Sequence, residues 1–265
     1  MLGRLDVYLR FIGRYITANI QGALEYRLSF FSQMTAMLIN DLAWLIFWLA
    51  YFSSFPLVAG WGCPEIITLW AIVAAGFGVA DTFCGGTFRL AGMITRGELD
   101  FFLALPKPAL LHMLVSRMSV TAIGDVAFGM LVYGVLIRPS LTQVALFGLC
   151  TVTGAIIFIS FGVLTQSLAF WLGNAEGLAQ QFANALLNFS TYPTVIFRGI
   201  IKALLFTVIP AGFITYMPVQ LLRSPSWMML GQLLLFTVVA AVVATTVFHR
   251  GLRRYESGNL VLVRE

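Results

Sequence analysis

The sequence predicts an all-α polytopic membrane protein with six transmembrane helices and an N-terminal interfacial amphipathic helix. Three observations carry this. Residues 139–175 run thirty-seven positions without one charged side chain, and 42–64, 203–222 and 224–248 are also charge-free and mostly apolar. About 20 such residues cross a bilayer core of about 30 Å as a helix, whereas a water-facing surface needs charge. Composition agrees: 60% of the 265 residues are hydrophobic and 10% charged, against about 25% charged in an ordinary soluble domain. Turn signals then divide the chain into six spans that nearly use it up, leaving no room for a large soluble catalytic domain.

Residues 1–28 do not read as a signal peptide, because Arg4, Asp6, Arg10, Arg14, Glu25 and Arg27 interrupt any apolar run. Leu5, Tyr8, Leu9, Ile12, Tyr15, Ile16 and Ile20 recur at helical spacing, opposite Asp6, Arg10, Arg14, Thr17 and Gln21. That pattern predicts an amphipathic helix lying in the interface. The alternative is the start of a long tilted first span. The spans follow at roughly 29–54, 66–89, 109–137, 141–172, 196–217 and 227–248, with a tail over 249–265. They are punctuated by Ser53-Ser54-Phe55-Pro56, Arg138-Pro139-Ser140 and Ser224-Pro225-Ser226. The whole chain reads as one transmembrane domain.

An even number of spans places both termini on one side, and the basic residues choose the side. Arg4, Arg10, Arg14, Arg27, Arg89, Arg96, Lys107, Arg198, Lys202, Arg250, Arg253, Arg254 and Arg264 fall on the side of the termini. Only Arg138 and Arg223 fall opposite. Thirteen against two predicts cytoplasmic termini. The net charge of +5 is dispersed over span ends, where anionic headgroups account for it, and implies no nucleic acid.

Several chemistries are absent. There is no G-x-x-x-x-G-K-[ST] and no Gly-Lys pair, so the chain has no P-loop. His112 and His249 are the two histidines and form no H-E-x-x-H. Cys63, Cys84 and Cys150 are far apart, without C-x-x-C spacing. No metal site or cofactor is expected. Gly76-x-Gly78 and Gly85-Gly86 sit in an apolar span and read as close helix contacts, and Gly173-x-x-x-Gly177 matches the small-residue packing pattern at a span end.

Asp41, Asp81, Asp125 and Arg117 fall inside predicted spans. An ionisable group there costs about 2.5–3.5 kcal/mol on insertion scales, so it faces a bundle interior or a wet cavity. Two readings stand: a translocation path, or polar glue between helices. Between spans two and three, Gly97 ends one helix. Glu98 and Asp100 suit the first turn of another, Leu99, Phe102, Leu103 and Leu105 give it an apolar side, and Pro106 and Pro108 end it. This short helix reads as an interfacial turn or as a docking element for a cytoplasmic partner.

These residues also carry a resemblance. Gly97-Glu98-Leu99-Asp100-Phe101-Phe102-Leu103-Ala104-Leu105-Pro106 resembles the G-x-L-D-x-x-L-x-x-P signature of a bacterial branch of type-2 ATP-binding-cassette (ABC) exporter permeases. Tyr192-Pro193, Ile209-Pro210, Phe213, Tyr216 and Pro218 are similar in order and spacing. The tail from Gly251 through Tyr255 to Ser257 resembles the closing G-L-x-x-Y-x-S element, departing after Ser257, where Gly258-Asn259 replace a small residue and glycine. The resemblance spans the whole chain.

It implies a permease in a bacterial plasma membrane that pairs with a second permease, identical or paralogous. Two cytoplasmic ABC ATPase subunits would bind ATP and Mg, and this chain would not itself be an enzyme. The cargo would be hydrophobic or amphiphilic: a lipid, an antibiotic or another xenobiotic. Gly97, Glu98, Leu99, Asp100, Phe101, Phe102, Leu105 and Pro106 would form the coupling helix. Glu98, Asp100, Phe101 and Phe102 are the expected contacts, with Asp100 alternatively bracing its own helix. Asp41, Asp81, Arg117, Asp125 and the kink residue Pro210 are candidates for the translocation path. The readings set against this are an ion-coupled secondary transporter, which predicts related halves, and a lipid-modifying membrane enzyme, which needs a catalytic cluster.

Overall fold

The computed structural model describes residues 2–255, and the side chains of residues 2–6 and 9 are not described. The motif residues Glu256, Ser257, Gly258 and Asn259, together with Arg264, lie outside the described residues. So do the side chains of Arg4, Leu5, Asp6 and Leu9. Among the described residues the fold is helical: α1 (Leu2–Glu25), α2 (Arg27–Ser54), α3 (Cys63–Cys84), α4 (Leu90–Thr95), α5 (Leu99–Leu103), α6 (Ala109–Ser116), α7 (Ile123–Val132), α8 (Leu141–Gln166), α9 (Ala169–Leu172), α10 (Glu176–Ser190), α11 (Gly199–Thr207), α12 (Ala211–Ile214), α13 (Tyr216–Arg223) and α14 (Trp227–Leu252). Among the described residues, five stretches are long and apolar enough to cross a membrane: Arg27–Ser54, Cys63–Thr95, Val120–Ile137, Leu141–Leu172 and Trp227–Leu252.

The bundle has two ends. The basal end holds α5, α9 and the close of α14, joined by a cluster that includes Leu99, Phe102, Ala169 and Phe248. The distal end holds Trp61, Arg138 and Arg223, the last bonding the Gly60 carbonyl at 3.3 Å. The central helix is α3, packed on α7 and α8. Glycine permits this close approach: a side chain at Gly78 would meet the backbone of Ala122 and Val126, and one at Gly129 would meet Ala71 and Ala75. Gly85 and Gly86 likewise lie against the backbone of Met113, Leu114 and Arg117, as expected of close helix contacts. Gly173 and Gly177 do not: nothing lies within 4 Å of a side chain at either. The packing reading of that pair is corrected, since Gly173 (φ +65°) instead closes α9 in the left-handed region.

The N-terminal helix is separate from the first span, broken at Tyr26. It packs on α6 through Phe11, Tyr15 and Asn19, leaving Arg10, Arg14, Thr17 and Gln21 exposed. Ile20, placed on the apolar stripe by spacing, is also exposed.

The third span differs from the continuous helix expected over 109–137. It breaks at Arg117-Met118-Ser119 and resumes at Val120. The freed amides are caught, Met118 donating to Asn19 Oδ1 (3.2 Å) and Ser119 to the Asp81 carbonyl (3.1 Å). Arg117 is therefore at a half-exposed basal break and not inside a span. The second span is also interrupted, between Gly85 and Arg89. Buried Gln166 bridges that interruption, accepting from the Ala91 amide (2.9 Å) and donating to the Phe88 carbonyl (3.1 Å). Backbone groups at membrane depth need such partners.

The fifth crossing is the main correction. The segment expected to span, 196–217, is two pieces bent by 70°, Gly199–Thr207 and Ala211–Arg223. Contacts show which way they run. Glu176, opening α10, lies 3.7 Å from basal Arg96. Phe182 meets Phe161 near the basal close of α8, and Tyr192 meets Trp44 and Trp48 on α2. So α10 climbs from the basal end, about 1.5 Å per residue. It makes the single return crossing that α8 and α14 require, because both of those run distal to basal. The bent pair then enters and leaves on the distal side. Lys202 lies over the Tyr216 ring, which stacks on distal Trp61, and Arg223 lies 3.5 Å from Glu65. Arg198 and Lys202 thus belong to the distal side and Arg117 to the basal one, so among the described residues the bias is eleven against four. Its sign is unchanged.

Candidate functional site

Two features of the basal half combine into a candidate site: a groove and a short exposed helix. The groove has α3 as its floor, with α2 and α7 on one flank and α8 and α10 on the other. Its basal part is a cavity of about 690 Å³, lined by Ser29, Gln33, Asp81, Arg89, Arg117, Glu176, Gln180 and Asn184 among others. A second cavity of about 530 Å³ lies deeper, lined by Asn40, Asp41, Trp44, Trp70, Asp125, Asn188 and Thr191 among others. Phe77 and Leu187 belong to both linings, so the two are neighbours along one path.

The sequence builds the groove from two polar stripes. On α10, Glu176, Gln180, Asn184 and Asn188 recur every fourth residue and so share one face. On α2, Ser29, Gln33, Asn40 and Asp41 do nearly the same. All but Asp41 are exposed. Exposed amides at membrane depth cannot face hydrocarbon without losing several kcal/mol each, so this face meets water or another protein surface.

Of the predicted path residues, Asp41 and Asp125 line the deeper cavity, and Asp81 and Arg117 line the basal one. Pro210 lines neither. It is buried at the elbow between α11 and α12. The stripe on α10, with Trp44 and Trp70, was missed from the sequence. Its amide spacing was the available signal.

The short helix α5 sits beneath the groove. Gly97 turns the chain from α4 into it at φ +73°, a conformation that a Cβ penalises by about 1–2 kcal/mol. Its side chains divide sharply. Leu99 (0% exposed) and Phe102 (7%) are buried in the chain itself, whereas Phe101 (66%) and Leu103 (46%) project outward. Asp100 and Leu105 are half-buried, and Pro106 is exposed. Glu98 is a brace. It accepts from Arg96 Nε (2.9 Å) and from Arg117 Nη2 (3.2 Å), while Arg96 also reaches Glu176 at the foot of α10. The hydrogen bond to Glu98, and after it the charges of Glu98 and Glu176, raise the affinity of Arg96 for its proton. These groups are half-exposed, so water screens each pair and none contributes much stability by itself. Together they join α5 to the break before α7 and to α10, both of which line the groove.

His112 ties α5 to the N-terminal helix. Its Nδ1 lies 2.9 Å from the Tyr15 hydroxyl, and its ring packs between Phe11 and Phe102. Burial first, then the charge of Lys107, holds its pKa below the ordinary 6.5. The folded chain therefore resists a proton that the unfolded chain accepts. The contribution is intact above pH 6.5 and is lost as pH falls through the lowered value. Acidification is expected to loosen α1 before the bundle: the protection factors of α1 amides, corrected for the intrinsic pH dependence of exchange, should fall as the pH drops below 6.5, and a His112→Gln variant should lose that response.

The family model of the ABC-2 family transporter proteins matches residues 38–258. The chain belongs to that ABC-2 family. The match begins within α2 and takes in α5, α10 and α14, so it covers α5 and all of the groove except the lining before residue 38, where Ser29 and Gln33 lie. Comparison with curated protein sequences finds no match. An ABC-2 transporter protein is a membrane permease subunit, and membership implies association with an ABC ATPase. Within this ABC-2 chain no group of three or more His, Cys, Asp or Glu among the described residues could hold a metal ion.

Proposed function

We propose that this ABC-2 chain is the permease subunit of an ATP-driven exporter, carrying a hydrophobic or amphiphilic substrate outward along the groove by alternating access. The observation that carries the proposal is α5. It presents Phe101 and Leu103 outward, beside the brace that connects it to the groove-lining elements. ATP and Mg would bind two separate ATPase subunits docked on the basal end. On the residue positions above, Phe101 and Leu103 are the docking side chains, with Asp100 beside them. Leu99 and Phe102 anchor the helix from within, and Glu98 with Arg96 and Arg117 passes its displacement to α10 and α7.

The exposed polar stripes support a second permease, identical or paralogous, that closes the groove. The basic bias supports a cytoplasmic basal end with both termini inside, in a bacterial plasma membrane. Asp81, Arg117, Asp41 and Asp125 then lie in order along the path from the inner face. Pro210 would set the distal re-entrant elbow. The test is co-reconstitution with an ABC ATPase. Substrate-stimulated hydrolysis that depends on α5 is expected, and transport driven by an ion gradient alone would overturn the proposal.

A further inference from the structure

The deeper cavity holds two carboxyl groups that the fold does not answer. Asp41 and Asp125 are 8% and 7% exposed, and Asp41 Oδ2 and Asp125 Oδ1 have no hydrogen-bond partner. The indole nitrogen of Trp70, which lines the same cavity, is also buried and unpartnered. Among the described lining residues there is no Lys, Arg or His. Two acids on α2 and α7 therefore face one space whose other lining is aromatic, aliphatic or neutral polar, with no cation of their own. Burying a carboxylate at membrane depth is costly, and a counter-charge offsets that cost.

The walls define the kind of counter-charge. Trp44 and Trp70 stack with centroids 5.6 Å apart, and Tyr192 closes on Trp44 at 6.4 Å. Aromatic faces attract organic cations. A calcium or magnesium ion instead takes about six or more closely spaced oxygens, no group of three or more His, Cys, Asp or Glu among the described residues could hold a metal, and the volume of about 530 Å³ suits a drug-sized molecule. We infer that the deeper cavity binds an organic cation, an ammonium- or phosphonium-bearing amphiphile, with Asp41 and Asp125 as counter-charges and Trp44 and Trp70 as the aromatic wall. The inference rests on the groove being the transport path and names the class of molecule that uses it.

Two probes of the same shape and opposite charge test it: tetraphenylphosphonium and tetraphenylborate. Saturable binding of each to the purified full chain in nanodiscs is measured above empty nanodiscs. Expected is saturable tetraphenylphosphonium binding, at least tenfold tighter than any tetraphenylborate binding, with Asp41→Asn plus Asp125→Asn weakening it at least tenfold. Equal affinity for the two ions, no saturable phosphonium binding, or a folded double variant that binds like the wild type would overturn it. The wild-type comparison decides even if the double variant misfolds. No ATPase is present, so failure here leaves the exporter proposal standing. Cation binding without ATPase coupling would instead count against the exporter and not against this site.

Discussion

Replacing Phe101 and Leu103 together with serine is expected to abolish complex formation with the ABC ATPase and the hydrolysis coupled to it, while the permease still inserts and folds. Both side chains project from the basal end, and neither is part of the permease core. Fully burying such a side chain contributes about 1.5–3 kcal/mol. Losing two should remove about 3 kcal/mol or more from the contact, or about a hundredfold in affinity. Phe102→Ser makes the contrast. Phe102 packs on His112 inside the chain, so its loss should lower thermal stability and the yield of folded permease. Pull-down, ATPase rate and melting temperature separate the two. Reversed assignments would mean that α5 is turned the other way.

The second large effect concerns packing. Gly86→Ala should destabilise the permease by at least about 3 kcal/mol, beyond the usual overpacking range, because the obstacle is backbone and not a mobile side chain. The added methyl would meet the carbonyls of Met113 and Leu114, where α6 crosses the interrupted second span. Gly177→Ala is the control. Its site on α10 is open, so the change should gain up to about 1 kcal/mol of helix propensity. Monodisperse yield and thermal unfolding in detergent report both. Equal behaviour of the two variants would contradict the packing.

Hydropathy made four of the crossings legible, because α2, α3, α8 and α14 expose or bury apolar residues on every side and need no partner to be recognised. The separate N-terminal helix and the short helix after Gly97 were also readable, from an amphipathic stripe in one case and from Gly97 and Pro106 in the other. The fifth crossing was hidden for a physical reason. One face of α10 carries Glu176, Gln180, Asn184 and Asn188 toward the groove, and average hydropathy cannot see that only the other face is buried. The more apolar segment 199–223 drew the assignment instead, although it folds back on itself. The resemblance placed Phe102 and Phe101 together as contacts. Only the tertiary packing distinguishes the buried one from the exposed one. The role of Gln166 had no signal in the sequence, because its two backbone partners lie more than seventy positions away.

The central claim is that the basal α5 surface receives the power stroke from an ATPase on the cytoplasmic side. A photo-cross-linking amino acid introduced singly at positions 101, 223 and 138 tests it most directly, in membranes containing the permease and an ABC ATPase that contains a P-loop. The account predicts an adduct between permease and ATPase from position 101 and none from the exposed distal positions 223 and 138. An adduct from either distal position, or none from 101 in a complex that still hydrolyses ATP, would contradict it.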